Sequence, residues 1–335
     1  MVDRRLIASF FRPSALARRA ADLARVLSAH AAGTRHPLFV QFLATARCTQ
    51  SCTYCEVPPV RFPEMDGPAV LAMLDELCRE GMRKVSFTGG EPLLRRELPE
   101  WIRTVRSRGV YANLITNGHL LADRIDEVRD LDLVIVSVDG REASHDAVRG
   151  AGSHARALRG LAACAERGVP VMTSTVLHRG TAADIDWVLD LARSLHGTAI
   201  FGPIEFAPGC VPAAAAGLVL RQDELRAAYA TLLDRKRAGA PVGYTRHFLA
   251  RAVRGEPAGP CRFAGRLYCS ILPDGRVLPC NVLLSLAAGD AAWVNGRESG
   301  FVEAMRRMPA FSCAGCAAGY GEMDAMLRFR WWEMA

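Results

Sequence analysis

Apolar, β-branched runs alternate with amphipathic stretches from about residue 38 to residue 238. The runs are 38–44 (LFVQFLA), 84–88 (KVSFT), 111–116 (YANLIT), 133–138 (LVIVSV), 170–177 (PVMTSTVL) and 199–206 (AIFGPIEF), and their length and composition suit strands. Between them, segments 66–80, 97–108, 120–129, 153–167 and 182–195 carry apolar residues at helical spacing, and another follows at 221–238. This alternation predicts an α/β fold with a parallel sheet and right-handed crossovers. Six such units make either an open partial (β/α)6 barrel or a doubly wound sheet, and spacing does not choose between them.

The flanks read differently. Residues 14–29 predict an amphipathic helix, with Ser14 as N-cap and Leu16, Ala20, Leu23 and Leu27 on one face, so residues 1–37 form an N-terminal helical extension. Arg4-Arg5 and the apolar residues after it resemble the start of an export signal, but Arg12 and Pro13 cut the run short. No stretch approaches the ~18 apolar residues of a membrane span. Residues 38–238 are expected to form the main α/β body. Residues 239–260, rich in Gly, Pro and Arg, read as a linker. In the C-terminal portion, 261–335, LYCSIL and RVLPC flank Pro273-Asp274-Gly275, which predicts a hairpin. Short helices are expected at 300–307 and 320–333, around Cys313 and Cys316.

Composition narrows the class. A chain of 335 residues, half of them apolar, suits one large domain with or without a small appendage. The net charge is +7, and only Lys84 and Lys236 among the 42 basic residues are lysine. There is no basic block with interleaved aromatics, which argues against a nucleic-acid surface; a diffuse positive charge suits an acidic protein or an anionic substrate. With no export signal the expected compartment is the cytoplasm. There, eleven cysteines point to metal or redox chemistry rather than disulfides.

Cys48, Cys52 and Cys55 follow the first strand with the spacing CxxxCxxC. One loop can so present three sulfurs to a metal centre, although a structural zinc site would need a fourth ligand, and none lies near in sequence. The second strand ends in Thr88-Gly89-Gly90-Glu91-Pro92, where paired glycines allow close approach of backbone to a ligand. Both motifs fall at the C-terminal ends of predicted strands, the edge where parallel α/β folds bind ligands.

With these residues in this order, the chain resembles the radical SAM superfamily. The resemblance implies a partial barrel in which Cys48, Cys52 and Cys55 hold a [4Fe–4S] cluster whose remaining iron binds S-adenosylmethionine (SAM). It implies that Tyr54 lies along the adenine and that Gly89, Gly90 and Glu91, followed by Pro92, face the methionyl amine. Thr116-Asn117-Gly118, Ser137-Val138-Asp139-Gly140 and His145-Asp146-Ala147-Val148-Arg149-Gly150 match further motifs. Asn117, Ser137 and Thr175 are thereby expected at the cofactor, and Arg149 at the SAM carboxylate. Thr49-Gln50 stands where asparagine often follows the first cysteine. The implied chemistry is electron injection into SAM, giving a 5′-deoxyadenosyl radical that removes a hydrogen atom from an unactivated C–H bond.

Cys261, the hairpin glycine Gly275 and Cys280 resemble the opening of a SPASM domain, and Cys313 and Cys316 supply two more thiols. Four thiols match the shortened twitch version, so the resemblance implies a second, auxiliary [4Fe–4S] cluster on Cys261, Cys280, Cys313 and Cys316, with a four-cysteine zinc site as the alternative. Cys269 reads as a buried thiol or a hydrogen-atom donor, and Cys210 shares that second candidacy. Cys78 and Cys164 read as core. Gln41, Asn113, Thr173, Thr175 and Glu205 are polar strand residues expected to face the barrel interior.

The expected function is a radical SAM oxidoreductase that takes a hydrogen atom from a carbinol carbon of a small molecule, a sugar or an aminocyclitol, in a dehydrogenation or epimerisation. A flavodoxin- or ferredoxin-type protein is the expected electron donor. The short segment before the first strand favours that reading over the alternative, a maturase that epimerises or cross-links a ribosomally made peptide. A zinc-binding interaction protein is a third reading, distinguished by metal content.

Overall fold

The computed structural model describes residues 34–55, 57, 63–204, 213–256, 261, 263–280 and 293–309. The helices expected at 14–29 and 320–333 lie outside them, as do Glu205, Cys210, Cys313 and Cys316. The first half runs β1 Phe39–Leu43, α1 Gly67–Arg79, β2 Lys84–Thr88, α2 Leu98–Ser107, β3 Tyr111–Thr116, α3 Ile125–Val128 and β4 Leu133–Ser137. There follow α4 Glu142–Arg149, α5 Ser153–Arg167, β5 Val171–Leu177, α6 Ile185–Ser194 and β6 Thr198–Pro203. After these come α7 Ala213–Ala216, α8 Gln222–Arg237, α9 Arg246–Arg254, β7 Tyr268–Ile271, β8 Val277–Leu278, α10 Gly296–Ser299 and α11 Phe301–Arg307.

The strands form one sheet in the order β6-β5-β4-β3-β2-β1-β7-β8. From β6 to β1 the order follows the chain without reversal, and each pair is parallel. Right-handed crossovers in one direction put every helix on the same face and curl the sheet. A doubly wound sheet would reverse direction at a switch point. The ambiguity left by spacing is thus resolved in favour of the partial barrel.

Local sequence explains the elements. In α1, Asp66 accepts the Ala69 amide at 2.9 Å as N-cap, and Val70, Met73, Leu74 and Leu77 bury one stripe. On the helix-facing side of the sheet, Phe42 and Phe87 pack against Trp101 of α2, with ring centroids 5.8 and 6.5 Å apart. Val40, Val85, Ala112, Leu114, Val134 and Val136 continue that core.

Two expectations are corrected. The hairpin β7–β8 forms, but it is not set apart: β7 pairs in parallel with β1, Val40 opposite Cys269 and Gln41 opposite Ser270, so it extends the barrel wall. The stretch read as a linker contains α9, where Thr245 caps the Phe248 amide and Gly255 ends the helix in the left-handed conformation. Phe248 and Leu249 bury against Tyr229 and Leu232 of α8, which repays ordering a segment of otherwise loop-like composition.

Alternation along the strands then assigns the two faces. Gln41, Ser86, Asn113 and Ser270 share one register row on the concave face. The Tyr268 hydroxyl donates to Gln41 Oε1 at 2.5 Å and lies 3.1 Å from Ser270 Oγ, while Ser86 Oγ donates to Asn113 Oδ1 at 2.7 Å. Thr173 and Thr175 fall on the other face. Thr173 aligns with Val136 and Ala199, and Thr175 with Phe201, all helix-facing.

Candidate active site

The loops after β1 to β5 gather at the C-terminal edge of the sheet. Arg95, only 4% exposed, fixes the first of them: it donates to the carbonyls of Ala44 and Met65 at 2.9 Å and lies over the Trp101 ring. The cysteine loop therefore leaves β1 from a rigid base.

Gly89 and Gly90 pack directly beneath that loop. The Gly90 amide donates to the Thr45 carbonyl and the Glu91 amide to the Arg47 carbonyl, both at 2.8 Å. A Cβ on Gly89 would stand 2.3 Å from Thr45 O, and one on Gly90 would stand 2.2 Å from Arg47 O. The glycines are thus explained by contact of backbone with backbone. Pro92 begins a buried 3-10 turn, Pro92–Leu94.

Glu91 is fully buried, and its carboxylate is spent inside the protein. Oε1 accepts the Leu93 amide at 3.0 Å and Oε2 the Asn117 amide at 2.9 Å, and the Thr116 hydroxyl lies 2.9 Å from both oxygens. Burial pushes its pKa up to about 7 against the pull of these hydrogen bonds. The side chain expected at the methionyl amine instead brackets the ends of β2 and β3.

The three thiols are all half-buried. Cys48 Sγ accepts from the Gln50 amide at 3.4 Å and from Asn117 Nδ2 at 3.6 Å. Cys52 Sγ donates to Gln50 Oε1 at 3.5 Å, and the side-chain Nε2 of Gln50 lies 2.8 Å from His119 Nε2. Burial raises the Cys52 thiol to about 11 although Arg149 opposes it, and Cys55, Asp139 and Cys48 add to the rise. Metal binding there must displace protons. Burial, then Arg156, holds His119 down to about 4, so its ring is neutral.

The segment 145–150 clamps the far side of the loop. The Thr53 amide donates to the Val148 carbonyl at 2.9 Å, Asp139 N–H donates to His145 Nδ1 at 3.0 Å, and Asp146 caps α5 through the His154 amide at 2.8 Å. Arg149 Nε donates to Asp139 Oδ2 at 2.7 Å, and the Tyr54 hydroxyl donates to the same carboxylate. Burial pushes the Asp139 carboxyl up, but Arg149, Tyr54 and the Val176 amide outweigh it and leave it below the usual range. Arg149, expected at the SAM carboxylate, is held on Asp139; Tyr54 lies beneath its guanidinium and 6.2 Å from the His178 ring. Buried His178 Nε2 has no partner among the described residues.

Ser137 ends β4 on the concave face beside Ser174, at the same C-terminal edge. Two other expected residues stand elsewhere. Thr175 Oγ1 donates to the Val138 carbonyl at 2.6 Å on the helix-facing side, which removes its side chain from the interior. Cys269 is 1% exposed within the apolar core, its thiol raised to about 12 by burial alone. It stands on the face opposite Ser270 and Gln41, so the hydrogen-donor expectation is corrected to a core thiol. Cys164 is buried and Cys78 packs against the same core.

Cys261 and Cys280 flank the turn Phe263–Tyr268: Cys261 Sγ accepts the Ala264 amide at 3.4 Å, and Cys280 packs with Leu38, Phe263 and Leu267. This pair lies at the N-terminal edge of β1, one strand length (~17 Å) from the Cys48 loop. Asp139 and Gln50 were read only as members of quoted motifs, without a role of their own, and His119 and His178 were not singled out from sequence. Asp139 was readable, as a carboxylate closing a strand ten residues before an arginine.

The donor set suits a cluster better than one ion. No three His, Cys, Asp or Glu side chains among the described residues converge on a point where a single ion could sit. Cluster thiolates bind separate irons and need no such convergence. A buried, half-satisfied histidine beside Tyr54 and backbone-tight glycines leave this edge shaped for a polar organic group as well.

A parallel partial barrel with three thiols on its first loop defines an iron–sulfur enzyme class. The Radical SAM superfamily model matches residues 42–192, and the chain belongs to that superfamily. Membership implies a [4Fe–4S] cluster and SAM. The PqqA peptide cyclase of Gluconobacter oxydans is 29% identical over 282 residues, 80% of this chain and 76% of that protein. That of Xanthomonas axonopodis pv. citri is 30% identical over 256 residues, 73% and 68% of the two chains. Among solved structures, Streptococcus suis SuiB bound to S-adenosylmethionine superposes with a TM-score of 0.68 at 15% identity, covering 92% of this chain and 75% of that one. The anSMEcpe structure with bound AdoMet gives 0.65 at 20%, covering 81% and 80%. These likenesses support the fold.

The comparisons correct the expected substrate. Relatives aligned over about three quarters of the chain are named peptide cyclases, which overturns the sugar or aminocyclitol reading and the small-molecule partner. The short segment before β1 was no argument against peptides. No helix among the described residues is long and apolar enough to cross a membrane.

Proposed function

We propose that this chain is a peptide maturase that uses radical SAM chemistry to form a cross-link in a ribosomally made precursor. The observation that carries the reading is the 282-residue similarity to a PqqA peptide cyclase, which runs well beyond the 42–192 core shared by the superfamily. In this reading Cys48, Cys52 and Cys55 hold the SAM-binding cluster. Cys261, Cys280, Cys313 and Cys316 hold an auxiliary cluster within residues 261–335, with residues 38–238 as the barrel. We place the protein in the cytoplasm, where its thiols stay reduced.

When bound, the cluster and SAM supply a carbon-centred radical able to take a hydrogen atom. The chain's own part is positional. Arg149, Asp139 and Tyr54 clamp the cysteine loop, and Glu91 joins it to the β2 and β3 loops. The concave face offers uncharged hydrogen-bonding groups, Gln41, Ser86, Asn113, Tyr268 and Ser270, that suit peptide amides or hydroxyls. Apolar Leu43, Val57, Leu272 and Trp293 pack near the loop and limit water there.

The test is anaerobic incubation of the reconstituted protein with SAM, dithionite and a short precursor peptide encoded beside its gene. A cross-link removes two hydrogen atoms from the peptide, whereas epimerisation leaves its mass unchanged and adds solvent deuterium. SAM cleavage without any change to candidate peptides would count against the reading. Two clusters require about eight iron and eight sulfide per chain; zinc at the C-terminal cysteines would remove the auxiliary cluster.

A further inference from the structure

Asn117 has its amide fixed by its neighbours. Its Oδ1 accepts the His119 amide at 2.9 Å, so Nδ2 must point the other way. There it lies 3.0 Å from Thr49 Oγ1 and 3.6 Å from Cys48 Sγ. Its main-chain N–H is held by Glu91 Oε2 at 2.9 Å, and the residue is only 6% exposed. The Gln50 amide reaches the same sulfur at 3.4 Å. Cys48 is thus a sulfur with two N–H donors already aimed at it.

A reduced cluster carries one more negative charge than an oxidised one, and its ligand sulfurs share that charge. A donor aimed at a ligand sulfur therefore stabilises the reduced state more. The effect is larger in a buried site, where water does not compete. We propose that Asn117 donates to the Cys48 sulfur and raises the reduction potential of the cluster held there, with Glu91 as its positioning residue. The proposal rests on the reading of Cys48 as a cluster ligand, and it gives Asn117 a role toward the cluster rather than toward SAM.

The experiment is a dye-mediated redox titration of the full-length, anaerobically reconstituted protein, read by EPR without SAM. The relevant cluster is identified separately as the one whose signal changes when SAM is added. Asn117→Ala removes the donor; Asn117→Asp removes it while keeping the acceptor for the His119 amide. At the wild-type midpoint, the reduced-to-oxidised ratio should fall roughly tenfold in both, a downward shift of about 59 mV for one electron. Glu91→Gln should shift it the same way by less. A midpoint unmoved in variants with normal iron and sulfide overturns the proposal. If neither variant loads iron, wild-type protein labelled with 15N-asparagine decides: pulsed EPR of the reduced cluster should show a 15N coupling, and its absence overturns the proposal. Retention of the SAM-responsive cluster in Cys48→Ala would instead overturn the ligand reading itself.

Discussion

Arg149 Nε donates to Asp139 Oδ2 at 2.7 Å, and neither side chain is more than 8% exposed. The pair ties the end of α4 to the end of β4, while Val148 holds the cysteine loop from the same helix end. Removing the arginine leaves a buried carboxylate with only Tyr54, the Val176 amide and its own surroundings for support. Arg149→Met should therefore cost about 3–5 kcal/mol in urea unfolding of the apo-protein. The double variant with Asp139→Asn should recover part of that loss, because no unpaired charge remains. A single-variant cost below about 1 kcal/mol would mean that water reaches the pair.

Gly90 has no room for a methyl group. Its Cβ would meet the Arg47 carbonyl oxygen at 2.2 Å and the carbon at 2.6 Å, both backbone atoms that cannot rotate away. Gly90→Ala must push the cysteine loop off β2. We expect a loss of about 2–3 kcal/mol and a clear fall in iron bound per chain on reconstitution. Gly217→Ala, where a Cβ meets nothing within 4 Å, is the control and should stay within about 0.5 kcal/mol. Equal iron content in the two variants would contradict the packing argument.

Glu91 makes stability depend on pH in an unusual direction for a carboxylate. Its folded pKa is raised, from 4.5 to about 7, so the folded state binds the proton more tightly than the unfolded state. Its contribution is fully present below about 4.5 and is lost as pH rises to about 7, on the order of 3 kcal/mol in all. Buried His119 and His145, both held near 4 by burial, act oppositely over the acid side. The difference between wild type and Glu91→Gln cancels their effect. That difference, from urea unfolding of apo-protein at pH 5 and pH 7.5, should change in favour of Gln as pH rises. A constant difference would show that Glu91 titrates normally.

The strands were legible because parallel strands covered on one side by helices must be dense in apolar residues: β2 and β3 were read to the residue, and β1, β4 and β5 within one residue at each end. What a strand faces was less legible. PVMTSTVL shows threonines at alternate positions, which invites a polar interior. Register with Val136 and Phe201 turns Thr173 and Thr175 toward the helices instead. Pairing of β7 with β1 joins residues some 230 apart, and no local pattern announces it. In α9 the clue was the Thr245 cap and the Gly255 stop, hidden by neighbouring Gly and Pro. The site motifs were readable in order. The partners of Glu91 and Arg149 were not, because both side chains satisfy charges on other loops of the fold.

Cys269 tests the assignment of the two sheet faces. It sits opposite Val40, in the core that includes Phe42, Val85 and Ile271, and burial alone keeps its thiol protonated with a pKa near 12. A group on that face cannot reach a substrate carried on the concave side with Gln41 and Ser270. Cys269→Val keeps the volume and should leave SAM cleavage and peptide modification unchanged. Cys269→Ala should cost about 1 kcal/mol for the small cavity while retaining turnover per loaded cluster. The checks are urea unfolding of apo-protein and product formation normalised to iron. Ser270→Ala, one residue along and on the other face, should lower stability little but weaken binding of the peptide. If Cys269→Ala still cleaves SAM but stalls before product, the thiol reaches the interior and the assignment of faces is reversed at β7.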